Sequence, residues 1–361
     1  MLPTATRTPL LFDAYPSLAR ALPFVPLCDV PTPVEPCSAI AGYLGRREGV
    51  AMKRDDRISS LYGGNKVRRY ELVLGDALAR GARRLVTVGG IASTQVMATV
   101  LFGRELGLGV RAVLFDQPLT TFARMQVAGY AKGGAELVYG GGYAETAYRA
   151  VRAMAKSSGN YFIFPGASGP LANVGYVDAM LELGRQVERG EAERPDVIVL
   201  PTGSSGTLAA LALGCAMLGW ETEVVGVRIT SRFVANHVTI DRLVRATSRF
   251  LRARAPRFPD CARRVSYSLY HGAIGEGYGY PTPEAIEGAE QLEVLTGTRG
   301  EVTYSGKALA ALREVARDPR WRGRTVLWWQ TLSSAPARIA PDADARLPPG
   351  LRARLAGDVP C

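Results

Sequence analysis

The sequence predicts an α/β fold built on parallel sheets. Three observations carry this. Short apolar runs alternate with stretches of helical length from Leu85 to Phe164 and again from Val174 to Gln330. The run Val197-Ile198-Val199-Leu200 holds no polar residue, as a strand covered on both faces requires. Glycine-rich turns at Gly89-Gly90 and Gly203–Gly206 join strand to helix, where open parallel sheets bind ligands.

Taken in order, residues 1–28 are apolar and proline-containing without clear periodicity, and Pro31–Pro36 reads as an extended lead-in, since residues before proline avoid the helical region. Gly49–Lys53 reads as a strand, followed by a loop to Gly63-Gly64 and a helical pattern over 69–74. A regular series follows: strands at Leu85–Val88, Val110–Phe115, Glu136–Tyr139 and Tyr161–Phe164, and helices at Ser93–Leu106, Thr121–Lys132 and Ala144–Ser157. Pro165–Pro170 breaks the pattern. A second series has helices at Val174–Arg189 and Leu208–Leu218, strands at Val197–Leu200, Glu223–Arg228 and Thr325–Gln330, and helical stretches around 241–255 and 282–296. The tail from Pro341 to Cys361 has no strong pattern and is expected to be peripheral.

Composition narrows the function classes. The 361 residues are 47% hydrophobic with a mean hydropathy of +0.02, which is globular and long enough for two domains. The five cysteines are scattered and form no CxxC pair, which argues against a zinc site or disulfide framework and fits a reducing, cytoplasmic compartment. No metal ligand set is expected. Residues 1–11 hold no long apolar run, so no secretory signal is read there, and no stretch reaches the ~18 apolar residues of a membrane span. The net charge of +11 raises a nucleic-acid partner, but the arginine-rich stretch 249–264 lacks the interleaved aromatics of a stacking platform; a solvated face or a pull on anionic substrates explains the charge better.

The stretch Gly63-Gly64-Asn65-Lys66 is the chemical centre of the sequence. Lysine occurs only at 53, 66, 132, 156 and 307, and basic charge elsewhere is arginine. A lysine kept in such a chain, after two glycines and at a helix start, suits an amine that must lose its proton, which arginine cannot do. The plainer alternative is a solvated lysine. Gly203-Ser204-Ser205-Gly206-Thr207, between strand and helix, suits a small phosphorylated cofactor; it has neither the Walker spacing nor GxGxxG, and an ordinary tight turn is the alternative. Ser93 or Thr94 starts a helix as its N-cap, and the same N-terminus suits a substrate carboxylate. Gly275–Pro283 is too glycine-rich to be regular, and its tyrosines serve either packing or acid–base work. The two histidines, His237 and His271, lie near no carboxylate or cysteine pattern, which weakens a triad or a metal site.

A loop lysine, a phosphate loop and a serine anion loop together suggest pyridoxal phosphate. The chain resembles the D-cysteine desulfhydrase / 1-aminocyclopropane-1-carboxylate deaminase family, with ordered segments at Pro31-Thr32-Pro33, Lys53–Asp56, Gly63–Lys66, Gly89–Ile91, Thr202–Thr207, Glu276–Gly279 with Pro281-Thr282, and Tyr304–Lys307. The resemblance implies the tryptophan-synthase-β type fold (fold type II): two open twisted, mostly parallel sheets flanked by helices, with the cofactor cleft between a large and a small domain. It implies a large domain of residues 1–66 and 165–340, a small inserted domain of 67–164, and a homodimer. By the same resemblance Lys66 carries the cofactor as a Schiff base and moves the α-proton, and Asn65 precedes it in the signature. Gly203, Ser204, Ser205, Gly206 and Thr207 form the phosphate cup. Ser93 faces the substrate, Tyr278 and Tyr304 are the active-site tyrosines, and Thr331 lies near the pyridine nitrogen. An uncharged hydroxyl there favours elimination at Cβ over transamination.

Ser305 and Thr331 place the chain nearer the desulfhydrase branch. Three departures stand out: Ala92 and Thr94 replace the family's glutamine and asparagine, Gln330-Thr331-Leu332-Ser333 replaces His-Thr-Gly-Gly, and Ser205 replaces a cup glycine. They point to a changed substrate. The expected activity is a lyase or deaminase acting on a small amino acid with a Cβ leaving group and giving a 2-oxo acid and ammonia. The rivals are β- or γ-replacement, cyclisation or racemisation on a specialised amino acid, and a non-catalytic binding protein.

Overall fold

The computed structural model describes residues 7–46, 49–335 and 347–357. The chain opens with two short helices, α1 (Leu10–Ala14) and α2 (Pro16–Ala21), then the strand β1 (Val34–Pro36), helix α3 (Ser38–Tyr43) and strand β2 (Val50–Lys53). Helix α4 (Val67–Ala79) leads into a compact series: β3 (Arg84–Gly90), α5 (Thr94–Glu105), β4 (Gly109–Phe115), α6 (Thr121–Lys132), β5 (Glu136–Gly141), α7 (Tyr143–Ala155) and β6 (Asn160–Ile163). The long helix α8 (Pro170–Glu188) returns the chain to a second series: β7 (Val197–Thr202), α9 (Gly206–Met217), β8 (Glu223–Arg228), α10 (His237–Arg254) and β9 (Tyr267–Tyr270). Helices α11 (Pro283–Thr296) and α12 (Ser305–Ala316), strand β10 (Val326–Trp329) and helix α13 (Pro349–Leu355) complete it.

Two sheets result, as expected for this fold class. The six-stranded sheet has the order β1-β2-β10-β7-β8-β9 and is parallel except for the β1–β2 pair. The four-stranded sheet, β5-β4-β3-β6, is wholly parallel. Every residue of the central strands β7 and β10 is buried, which is why they read as unbroken apolar runs. Helix α9 is apolar all round because it is buried all round, between its own sheet and helices α8 and α10. Among the described residues no helix is long and apolar enough to cross a membrane.

Several elements depart from the sequence expectations. The extended lead-in at Pro31–Pro36 becomes an edge strand over its last three residues, where proline is tolerated because one side of the ladder is unpaired. Pro170, placed in the break, is the first residue of α8, since its fixed φ suits the first helical position and its missing N–H has no partner to lose there. Helices α1 and α2 are too short to show a period. They exist because Leu11, Phe12, Leu18 and Leu22 are buried in the core of the large sheet, and Leu11 N–H donates to Asp178 Oδ1 at 2.7 Å. Strand β9 escapes sequence reading because all four of its residues are half-buried and show no alternation. The segment 347–357, expected to be peripheral, docks on the smaller sheet: Leu347 and Leu351 are buried there, and Arg124 holds the carbonyls of Leu355 and Gly357. The rest of that tail, 341–346 and 358–361, lies outside the described residues.

Beneath the loop that carries Lys66 lies a buried ionic knot. Arg68 donates to Asp55 and Glu182 at 2.9 Å, and Lys53 Nζ donates to Glu182 at 2.6 Å and Gln186 at 2.7 Å. Tyr176 and Trp329 each donate to Asp55 Oδ2 at 2.7 Å. The Lys53–Asp56 stretch thus ties β2, α4, α8 and β10 together.

Candidate active site

A cleft of about 1070 Å³ opens at the strand ends of both sheets. Asn65 and Lys66, which follow the Gly63-Gly64 turn, line it. A side chain at Gly63 would meet the Asp56 carbonyl at 1.9 Å, and Gly64, at φ +90°, leaves no room beside the Thr331 carbonyl. Only glycine lets this loop pack so closely. Gly64 N–H donates to Asp55 O at 2.7 Å and Asn65 N–H to Thr331 O at 3.1 Å, which fixes where Lys66 leaves the backbone as the N-cap of α4. Lys66 Nζ donates to Asn65 Oδ1 at 2.7 Å. Burial, with the Arg69 cation second, holds the Lys66 amine well below the usual lysine range. Both effects disfavour the ammonium form, the direction a nucleophilic amine requires.

The cup follows β7. Gly203 to Ser205 turn the chain into α9, whose first residues, Gly206 to Leu208, line the cleft. Ser205 sits at φ +65°, a left-handed conformation that a non-glycine residue adopts at a cost of roughly 1–2 kcal/mol. That explains why glycine is usual there. The Ser205 hydroxyl is buried without a hydrogen-bond partner. Behind the cup stands Arg69, which sequence reasoning missed. Its guanidinium is buried and donates to Thr207 Oγ1 at 2.6 Å, to Gly166 O at 2.8 Å and to Ser168 Oγ at 3.2 Å; its Nε has no partner. Burial lowers its pKa to about 10. A helix N-terminus, an orphaned hydroxyl and a buried cation with no paired carboxylate among the described residues fit a phosphate dianion. The signal was present in the sequence: Arg69 lies three residues after Lys66, one helical turn on.

On the other sheet, Ser93 caps α5 and accepts from Val96 N–H at 3.3 Å, and Thr94 opens the helix beside it. Both line the cleft. The departure at Ala92 is met by Gln117 from the loop after β4, whose Oε1 accepts the Ala92 N–H at 3.2 Å. Gln95 is buried, and its Oε1 accepts Gly166 N–H at 3.3 Å, which links this loop to the stretch below Arg69.

From the glycine-rich loop and the start of α12 come Tyr278 and Tyr304, with their hydroxyls 2.6 Å apart. Burial pushes Tyr278 up to about 12, and burial with the neighbouring Tyr278 puts Tyr304 well above the usual range. Both are neutral phenols across working pH. Glu301, which the sequence did not single out, fixes Tyr304: its carboxylate accepts the N–H groups of Thr303, Tyr304 and Ser305 at 2.7–2.8 Å. Thr331 borders the cleft after β10, and helix α13 brings Arg354 to it, paired with Asp116 at 2.9 Å. Every site residue named from the sequence lines this one cleft. Neither histidine does, and no group of metal-ligating side chains occurs among the described residues.

The family model described as pyridoxal-phosphate dependent enzyme matches residues 25–330. A D-cysteine desulfhydrase from Serratia proteamaculans (strain 568) is 30% identical over 322 residues, 86% of this chain and 93% of that protein. The crystal structure of an ACC deaminase homologue superposes with a TM-score of 0.72 at 27% identity, covering 94% of this chain and all of that one. A T.th. threonine deaminase shares the fold at a TM-score of 0.58 and 19% identity, covering 92% and 98% of the two chains. The chain belongs to the family of pyridoxal-phosphate dependent enzymes, in their type II fold, and its cofactor is pyridoxal 5'-phosphate.

Proposed function

We propose that this enzyme is a lyase or deaminase that expels a leaving group from Cβ of an amino acid and releases a 2-oxo acid and ammonia. The observation that carries the reading is the buried Lys66 amine in the same cleft as the hydrogen-bonded pair Tyr278–Tyr304. When bound, pyridoxal phosphate supplies an electron sink for negative charge at Cα. Arg69, Thr207 and the N–H groups opening α9 would hold its phosphate. Thr331 would offer its ring an uncharged hydroxyl. The N-terminus of α5, with Ser93 and Thr94, orients the substrate carboxylate. Lys66 takes the proton from Cα, and the Tyr278–Tyr304 pair gives a proton to the departing group.

The relative's name makes D-cysteine the first substrate to test. Pyruvate and ammonia released by the holoenzyme support the reading, and a new amino acid in their place defeats it. Lys66→Ala is expected to abolish both turnover and the adduct fixed by borohydride. Retained turnover in that variant overturns the assignment. The same reading carries a homodimer, which sedimentation of the holoenzyme checks.

A further inference from the structure

The cleft of about 1070 Å³ also has to hold the cofactor, and it continues past Lys66 and the cup to Phe115 and Tyr143. Its extra wall is aromatic and continuous. From Tyr304 the ring of Tyr278 lies 6.0 Å away, Phe115 lies 6.2 Å beyond that, and Tyr143 another 4.9 Å on. The path starts at the tyrosine pair assigned to the leaving group and ends at the mouth, where Tyr143 is 70% exposed. Tyr280 and Val234 add half-exposed apolar surface to the same rim. Exposed apolar surface joined to a buried site marks binding, and flat rings at these spacings present faces and edges to a further ring. Cysteine itself extends one sulfur past Cβ. With that sulfur at Tyr278, nothing in cysteine reaches Tyr143.

We propose that the substrate is an S-substituted cysteine whose sulfur bears an aryl or arylmethyl group, and that Phe115 and Tyr143 hold this group. The proposal rests on the elimination reading above. The Cβ–S bond breaks and its electron pair leaves with sulfur; the Cα proton passes to Lys66, and the thiolate gains a proton from the tyrosine pair. Water then replaces nitrogen at Cα. The balance is R–S–CH2–CH(NH3+)–COO− + H2O → R–SH + CH3–CO–COO− + NH4+, with no oxidant or reductant.

The test compares S-benzylcysteine with cysteine, in both configurations, by pyruvate release from the holoenzyme. The quantity read is the ratio of kcat/KM for the two substrates of one configuration. Tyr143→Ala is expected to lower that ratio about tenfold, chiefly through KM of the S-benzyl substrate, and Tyr143→Phe to preserve it, since the ring makes the contact. A ratio unchanged in Tyr143→Ala overturns the proposal while leaving the elimination reading intact. So does a change of oligomeric state in Tyr143→Ala without a change of ratio, which assigns the ring to a contact between copies. Turnover of neither substrate by the wild type defeats the elimination reading and this proposal with it.

Discussion

Arg69 places a guanidinium nitrogen 2.6 Å from the hydroxyl of Thr207, behind the phosphate cup, and among the described residues no carboxylate pairs with it. A buried cation is costly unless something neutralises it. A bound phosphate would supply the missing charge. Arg69→Met is expected to weaken pyridoxal-phosphate binding about 10–100-fold, the worth of one charge-assisted hydrogen bond. Titration of the apoprotein by absorbance measures this. The stability of the apoprotein is expected not to fall, and a large loss there would reassign Arg69 to the scaffold.

Lys66 makes the stability of the apoprotein depend on pH. Burial, with Arg69 second, lowers its pKa below 10.5, so the unfolded chain binds a proton that the folded chain refuses. The penalty is absent above 10.5, grows as pH falls and is complete below the depressed folded value. Lys66→Met is therefore expected to stabilise the apoprotein more at pH 7 than at pH 10. Urea denaturation at the two values checks it, and a gain independent of pH contradicts it.

The tyrosine pair has a different signature. Tyr278 is raised to about 12 and Tyr304 well above 10, so neither ionises in the working range. They act as proton donors, and the pH profile of kcat is expected to show no alkaline limb from phenol ionisation below pH 10. Tyr304→Phe is expected to lower kcat about 100-fold while leaving the cofactor spectrum intact. A Phe variant at full speed removes the pair from the chemistry.

Arg68 is the keystone of the knot under the active-site loop. Its removal strands the carboxylates of Asp55 and Glu182 in the interior. Burial works to raise Glu182, but Arg68 and Lys53 hold it well below the carboxylate range, so it stays charged. Arg68→Ala is expected to cost about 3–5 kcal/mol in urea denaturation. A loss under about 1 kcal/mol would mean that Lys53 alone compensates the pair.

The sequence by itself determined the alternation of strands and helices, because buried parallel strands must be apolar and covering helices must be periodic. It also determined where the chain turns before Lys66, because only glycine fills φ +90° at Gly64 and the space beside Asp56 at Gly63. These are local constraints, written in consecutive residues. The partners of Arg69, and Glu301, Gln117 and the ring path from Tyr304 to Tyr143, were decided by tertiary structure alone. Their meaning depends on which helix face is buried and on which distant loop it meets. Residues 115, 143, 278 and 304 carry no common motif. Only the packing of two sheets around one cleft sets their rings side by side. The same reason hid α13: two leucines in a featureless tail show no period, and they become a docking site only once the smaller sheet offers a surface to receive them.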